Sequence, residues 1–569
     1  MVSKFAGIVR ITDLDDYILP SQECIKPIII EKNEVKIKTI KIKDGKYLQI
    51  DKKGKEKELE KAKITLNDCL ACSGCVTSAE TVLINQQSVE ELFKIAEQNA
   101  HSILTNNFAD YRPILISCSP QSLSSLAIHY DLTITETANA LRSYFQKQYG
   151  VKYFLNTTFA RNFSLLESAK EFLRVYKTKE ANDDQDTIRN NNNNIIKCEN
   201  CHDTPLKLPI ITSICPGWVC YAEKSLGEII IPHMSKVKSP QQIFGSLLKD
   251  LNLINSKNIS GEHSTNWYHV SIMPCYDKKL EASRPDFTHS FNQDATNIRD
   301  NQEFMSHKDV DCVLSTIEVK ELLDSQDINL KSLLAQIASP PNDKNDLTSD
   351  EPGNDLAHYL LSFDYTHQGG GSGGYAEFVI GYALKHKWGC ETYETHYADD
   401  SKNSLVGTDS SDRHKYRVEI RTLKNKDMRE LKLIDTSTGD ILLNFAQAYG
   451  FQNIQNVVQK IKRSNKCPYH YIEIMACPSG CLNGGGQIRI EQTTNSRQDK
   501  LNLFNSVDAI YHSVPNVITD PYNQISSVRD ILNSDLLAKQ DSCGQKHMFL
   551  TEYHPVLKDA LTASMIIKW

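Results

Sequence analysis

YIEIMACPSGCLNGGGQ, residues 471–487, decides how the rest of this chain is read. A short apolar run meets a cysteine, Cys477, with Pro478 directly behind it. A second cysteine, Cys481, stands four residues on, and three glycines, Gly484, Gly485 and Gly486, follow. An apolar run of this length bounded by turn residues reads as a buried strand. Proline at the first position of a helical turn leaves Cys477 as its cap, where free peptide N–H groups and the helix dipole favour a thiolate. At i and i+4 the two thiols project from one side of that turn. The glycines clear side chains from backbone that must approach something closely.

The same construction recurs upstream. LPIITSIC (208–215) ends on Cys215 in TSICPGW, again with proline next, and HVSIMPC (269–275) ends on Cys275 in IMPCYDKKLE. PILISCS (113–119), VKYFLNTT (151–158) and DVDCVLST (309–316) are three further candidate buried strands. Between them LLESAKEFLRVY (165–176), QQIFGSLLKDLNL (241–253), AEFVIGYALKHKW (376–388) and FQNIQNVVQKIK (451–462) have helical period. Strands alternating with helices predict α/β organisation with mainly parallel sheet. In open α/β sheets function gathers at the carboxyl ends of strands, which is where Cys215, Cys275 and Cys477 lie. Taken singly, each reads as a buried structural cysteine. As a group around a cluster, the glycines would bring backbone N–H groups to its sulfides, and Lys278 and Lys279 would offset its charge.

Near the front, LNDCLACSGCV holds Cys69, Cys72 and Cys75 as C-x2-C-x2-C. Three thiolates at this spacing can wrap one face of an iron–sulfur cube, with small Ser73 and Gly74 permitting the turns. Zinc sites supply C-x2-C as separated pairs rather than an overlapping triple, so the reading is a [4Fe–4S] cluster. A cube needs a fourth ligand, and Cys24 is the other cysteine upstream. Cys198 and Cys201 in KCENCHD adjoin an Asn-rich stretch and read as an accidental or weak metal pair. Cys118, Cys312, Cys390, Cys467 and Cys543 lack partners at ligand spacing and read as structural. GGGSGG (369–374) has no Gly-Lys-Ser/Thr after it, so it is no P-loop; the amphipathic helix behind it favours a shaped turn over a linker.

The chain has 569 residues and formal net charge −7, long enough for several packed units and unsuited to a general nucleic-acid surface. Sixteen clustered cysteines at this length are not a disulfide scaffold. The N-terminus lacks a secretory h-region, and no run approaches a membrane span. The expected compartment is the cytoplasm, with nuclear access. IIIEKNEVKIKTIKIKDGKYLQID reads as strands around an Asp44-Gly45 turn, the lysine run after it as a solvated face, and Ser88 with Glu91 as a capping box. The expected divisions are an N-terminal cluster unit over 1–108, an α/β domain over 109–504 with a low-complexity insertion at 182–203, and a helical strap and tail over 505–569. A second loop-like insertion is expected at 338–355.

IMPCYDKKLE, TSICPGW and MACPSGCLNGGGQ together resemble the three cluster-binding motifs of the iron-only hydrogenase family. GGGSGGYAEFV (369–379), ISCSPQSLSSL and DVDCVLST resemble its Gly-rich loop and two of its strand segments, in the family's order over roughly 110–560. The resemblance implies an iron-only-hydrogenase-like, two-lobed α/β domain preceded by a small ferredoxin-like unit. It also implies two [4Fe–4S] clusters: one on Cys24, Cys69, Cys72 and Cys75, the other on Cys215, Cys275, Cys477 and Cys481. Active members carry two adjacent cysteines before the proline of the first motif, and the first of them passes protons. Here those positions are Ile214 and Cys215, and a hydrocarbon side chain cannot relay a proton. No catalytic residue is therefore assigned. Lys278 and Glu281, which match positions beside the family's diiron site, are expected to pack around the cube.

What remains resembles the eukaryotic hydrogenase-like branch of cytosolic iron–sulfur assembly factors and prelamin-recognition proteins. That resemblance implies a carrier of two clusters linking scaffold ATPases to a late targeting complex with a WD40 propeller, docked in part through the terminal Trp569. Lys568 departs from the acidic or small residue usual before that aromatic. An active hydrogenase and a nuclear prelamin-binding protein with structural clusters are the alternatives.

Overall fold

The computed structural model describes residues 39–43, 46–50, 56–58, 87–108, 110–187, 206–249, 267–290, 306–336, 360–365, 370–390, 393–397, 404–406, 415–463, 467–490, 497–515 and 547–555. Cys24, Cys69, Cys72, Cys75, Cys198, Cys201, Cys543 and Trp569 lie outside them, as does the insertion at 338–355. The chain divides into Met1–Thr81 and Val82–Trp569. In the first unit β1 (Thr39–Lys43) pairs antiparallel with β2 (Lys46–Ile50), Lys43 opposite Lys46, which is the register a two-residue Asp-Gly hairpin demands. β3 (Glu56–Glu58), drawn from the lysine run, adds antiparallel to β2.

The boundary expected at 108 falls instead between 81 and 82. Helix Val89–Thr105 buries Leu92 and Ile95 in the core of the second unit, and Gln87 donates to Lys279 O at 2.7 Å. Ser88 is its N-cap but makes no capping box: its side chain bonds Glu90, while Glu91 pairs with Lys94 at 3.3 Å.

The second unit is built on two large sheets and has one small antiparallel pair, β8 (Thr288–Ser290) with β9 (Ser306–Lys308). The first contains β4 (Ile114–Cys118), β5 (Tyr153–Asn156), β7 (Tyr268–Met273) and β10 (Cys312–Ser315), all parallel in the order β10-β7-β4-β5. Every residue of these strands is buried, as their continuous apolar runs require of a sheet covered on both faces. Helices Pro120–Tyr130 and Ile134–Tyr149 lay Leu123, Leu141 and Phe145 on one face. Phe159 and Phe163 of helix Thr158–Thr187 and Phe244 of helix Pro240–Lys249 cover the other.

The second sheet has seven strands: β6 (Ile210–Thr212), β11 (Tyr393–Tyr397), β12 (Ser404–Val406), β13 (Tyr416–Thr422), β14 (Met428–Asp435), β15 (Ile441–Tyr449) and β16 (Tyr471–Met475). Their order is β12-β11-β13-β14-β15-β16-β6. β15, β16 and β6 are parallel, whereas β13, β14 and β15 form an antiparallel meander that the sequence reading did not pick out. Helix Phe451–Arg463 buries Ile454, Val457 and Val458 on one face, the i, i+3, i+4 pattern of a surface helix, and carries Lys460, Lys462 and Arg463 in its last turn. Helix Tyr375–Trp388 packs Val379 and Ile380 on the opposite face of the sheet.

Two expected boundaries move. Helix Thr158–Thr187 continues through the first residues of the insertion placed at 182–203. Helix Arg497–Tyr511 crosses the boundary placed between 504 and 505, because Val507 and Tyr511 bury against Leu482 in the cysteine loop. Residues 547–555 return to the body: Phe549 is fully buried and Leu550 bridges to Val237. Among the described residues no helix is long and apolar enough to cross a membrane.

Candidate metal centre

Four cysteines reach one place from two sheets. Cys215 lies three residues past β6 and caps helix Pro216–Tyr221, with Pro216 at its first position. Cys477 lies two residues past β16, the parallel neighbour of β6, so the two loops run side by side. The Ala476 N–H donates to Cys215 Sγ at 3.5 Å. Cys481 opens the tight turn Cys481–Asn483. Cys275 comes from the other sheet, two residues past β7, and the glycine run brings it in: Gly486 N–H donates to Pro274 O at 2.9 Å.

Burial dominates the chemistry of these thiols. It pushes the Cys477 thiol well up, and the neighbouring charges of Cys275, Cys215 and Cys481 push it further. Cys215 is pushed up to about 12 by burial, then by Asp277 and Cys481. Cys481 is raised by burial, while Arg161, Lys278 and a Ser372 hydrogen bond pull the other way. Cys275 Sγ donates to Asp277 Oδ2 at 3.5 Å. Raised in this way, the thiols of Cys477, Cys215 and Cys481 lose their protons to a cation that takes their place. Among the described residues no three His, Cys, Asp or Glu side chains converge closely enough for a single metal ion. A cube spreads its thiolates over four corners, and an all-sulfur set, three buried and one half-buried, is the kind of donor set a cluster takes.

The surroundings correct two expectations. Lys279 donates to Gln87 O and Glu318 Oε1, both at 2.6 Å, so it serves the helix–sheet seam; Lys278 is the lysine whose charge reaches Cys481. Lys278 pairs with Glu281 at 2.5 Å, and Glu281 accepts from Ser239. Gly484 and Gly486, in turn, are spent on the chain itself. Gly486 N–H goes to Pro274 O and Gly484 N–H to Cys481 O at 3.1 Å, so neither is free for a sulfide. A Cβ on Gly484 would stand 2.3 Å from Pro274 O, and one on Gly486 3.2 Å from Cys275 N.

The Gly-rich loop is the shaped turn its sequence suggests. A Cβ on Gly373 would collide with Glu473 Oε1, Arg161 donates to Gly373 O at 2.6 Å, and Gln121 to Gly371 O at 2.7 Å. Ser372 Oγ accepts the Cys481 N–H at 2.6 Å. Sequence reading missed Arg161, Ser372 and Glu473, because each meets the site across a long loop with no local spacing to betray it. Ile214 is half-buried and packs into the cores on both faces of the second sheet, directly before Cys215.

Residues 112–485 match the model of the iron only hydrogenase large subunit, C-terminal domain. The chain belongs to the iron-only hydrogenase-like family. It is 41% identical over 573 residues to the cytosolic Fe-S cluster assembly factor narfl of Xenopus tropicalis, covering 100% of both chains. It is 40% identical over 577 residues to cytosolic iron-sulfur assembly component 3 of Rattus norvegicus, again covering 100% of both. A solved [FeFe]-hydrogenase shares the fold at 20% identity and TM-score 0.51, over 78% of this chain and 95% of that one. A member of this family carries iron–sulfur chemistry, and its two-lobed α/β architecture is the hydrogenase one.

Proposed function

We propose that the chain is a component of the cytosolic machinery that assembles iron–sulfur proteins. It carries two [4Fe–4S] clusters and links scaffold ATPases to a late targeting complex containing a WD40 propeller, in part through Trp569. Cytosolic and nuclear proteins receive the clusters. The interior cluster is held by Cys215, Cys275, Cys477 and Cys481, the N-terminal one by Cys24, Cys69, Cys72 and Cys75. The observation that carries the reading is the convergence of Cys215, Cys275 and Cys477, buried at strand ends, with half-buried Cys481, in a chain that matches assembly factors over their whole length.

The chain's own residues retain rather than react. Burial keeps water from Cys215, Cys275 and Cys477, while the Ala476 N–H favours the anionic form of Cys215 and the Arg161 and Lys278 charges that of Cys481. A [4Fe–4S] group supplies one-electron exchange and a transferable cargo. Ile214, a hydrocarbon beside Cys215, offers no proton relay, so the protein is not a hydrogenase.

Cys275→Ala tests the ligand set. Anaerobically purified variant should lose about half the iron and acid-labile sulfide, with loss of the matching EPR signal on reduction. Full iron content in Cys275→Ala would show the assignment to be wrong. Hydrogen evolution from reconstituted wild type would support the hydrogenase alternative, and capture by a prelamin tail in preference to the targeting complex would support the other.

A further inference from the structure

Between Cys477 and Cys481 lie Pro478, Ser479 and Gly480, and their backbone sets how the two thiols stand to each other. Gly480 has φ +77° and Ser479 φ +58°. The first is ordinary for glycine. The second puts an L-residue in the left-handed region, at a cost of about 1–2 kcal/mol. Something must hold it there.

The partner comes from the β13–β14 hairpin. Asp427 Oδ1 accepts the Ser479 N–H at 2.7 Å, and the Ser479 side chain bonds the same carboxylate. Hydrogen bonds to a carboxylate are roughly twice as strong as neutral ones. Asp427 is itself fixed: its carbonyl accepts from Tyr449 N–H at 2.8 Å, and its N–H donates to Asn425 Oδ1 at 3.1 Å. Asn453 then ties the tip to the sheet, donating to Asn425 Oδ1 at 3.0 Å and to Tyr449 O at 2.9 Å. The tip is at the surface, where Leu423, Lys424 and Lys426 are exposed. Each end of the cysteine segment has its own hold, Ser372 at Cys481 and strand β16 before Cys477. The middle has Asp427.

We infer that Asp427 is a positioning residue for the Cys477–Cys481 segment, holding Ser479 left-handed so that the interior cluster is retained, and that a surface hairpin thereby sets the grip of a buried site. This rests on Cys477 and Cys481 as cluster ligands. Without the carboxylate the strain at Ser479 is uncompensated, and the segment relaxes toward ordinary backbone with its thiols displaced.

The test uses full-length protein purified anaerobically, with iron release to a ferrous chelator followed in the kinetic phase that Cys275→Ala abolishes. Asp427→Ala should release that iron about tenfold faster than wild type, within the 5–30-fold that one or two kcal/mol provides. Asp427→Asn, whose amide oxygen still accepts the Ser479 N–H, should stay within about twofold of wild type. Adding Ser479→Gly to Asp427→Ala should recover most of the lost retention, since glycine holds a positive φ without strain. Release by Asp427→Ala at the wild-type rate overturns the inference, as does a double variant no slower than Asp427→Ala alone. A wild type with no Cys275-dependent iron strikes down the cluster reading instead, so the two failures are distinguishable.

Discussion

Gly484→Ala is the sharpest probe of how the glycine run joins the two sheets. Gly484 has φ −67° and ψ 152°, values any L-residue adopts, so the substitution carries no dihedral penalty. Space is the issue. The new Cβ would lie 2.3 Å from Pro274 O and 3.1 Å from both Pro274 C and Cys481 O. All three are backbone atoms and cannot rotate away, so the segment must shift and take the 2.9 Å Gly486–Pro274 hydrogen bond with it. Crowding of this kind costs about 1–3 kcal/mol and a lost buried hydrogen bond about 1 kcal/mol more. The smaller freedom of alanine in the unfolded chain returns about 0.4–1 kcal/mol, leaving a net loss of about 2–3 kcal/mol. The assay is a urea midpoint together with iron per chain, read against Gly150→Ala. Gly150 has φ +62° and open space around it, so that variant should lose about 1 kcal/mol of stability with iron unchanged. A Gly484→Ala protein with wild-type midpoint and iron would refute the claim that this run presses on the strand end bearing Cys275.

Two other perturbations test features away from the thiols. Burial pushes His269 down to about 4; its Nδ1 donates to Asp309 O at 2.9 Å and its Nε2 accepts from Ser117 Oγ at 2.8 Å. Because the folded value lies below the unfolded one near 6.5, the unfolded chain binds the extra proton; stability is full above about pH 6.5 and falls by roughly 3 kcal/mol as pH drops toward 4. His269→Gln should flatten that acid limb in urea melts between pH 7 and 5, and an unchanged slope would count against it. Glu223 makes paired bonds to Arg284 at 2.8 and 2.9 Å and accepts the His554 N–H at 3.0 Å. Glu223→Ala leaves Arg284 its 3.1 Å pair with Asp286 but removes two charged bonds, and should cost on the order of 2 kcal/mol, with faster hydrogen exchange over 551–555. Wild-type exchange there would show that the pair does not hold the C-terminal segment down.

The strands that carry the cysteines were legible because each is a continuous apolar run, which only a sheet buried on both faces tolerates. The meander was harder. In Tyr416–Thr422 Tyr416, Val418 and Ile420 are buried with Arg417 and Glu419 between them, the alternation of a strand with one face on the core and not the continuous apolar run that marks the cysteine-bearing strands. Capping patterns carried partial information: Thr133 with Glu136 and Ser315 with Glu318 close true boxes, whereas Ser88 and Glu91 find other partners. The site divides the same way. Strand ends and spacing single out Cys215, Cys275, Cys477 and Cys481, and only the resemblance to the family's motifs groups them at one site. That Gly373 makes room for Glu473, Gly484 for Pro274, and Asp427 braces Ser479 depends on chain segments 52 to more than 200 residues apart, which no local pattern records.

The strand order has a consequence for when this site can exist. β6, which leads to Cys215, finds its ladder in the sheet on β16, and β16 leads to Cys477 and Cys481. A growing polypeptide that has made Thr212 must lengthen by more than 250 residues before Tyr471 arrives. At about 5–20 residues per second that is a wait of roughly 13–50 s, during which the strand end beside Cys215 lacks its neighbour. The thiols of Cys215, Cys477 and Cys481 therefore come together only once β16 has joined β6, long after Cys215 was made.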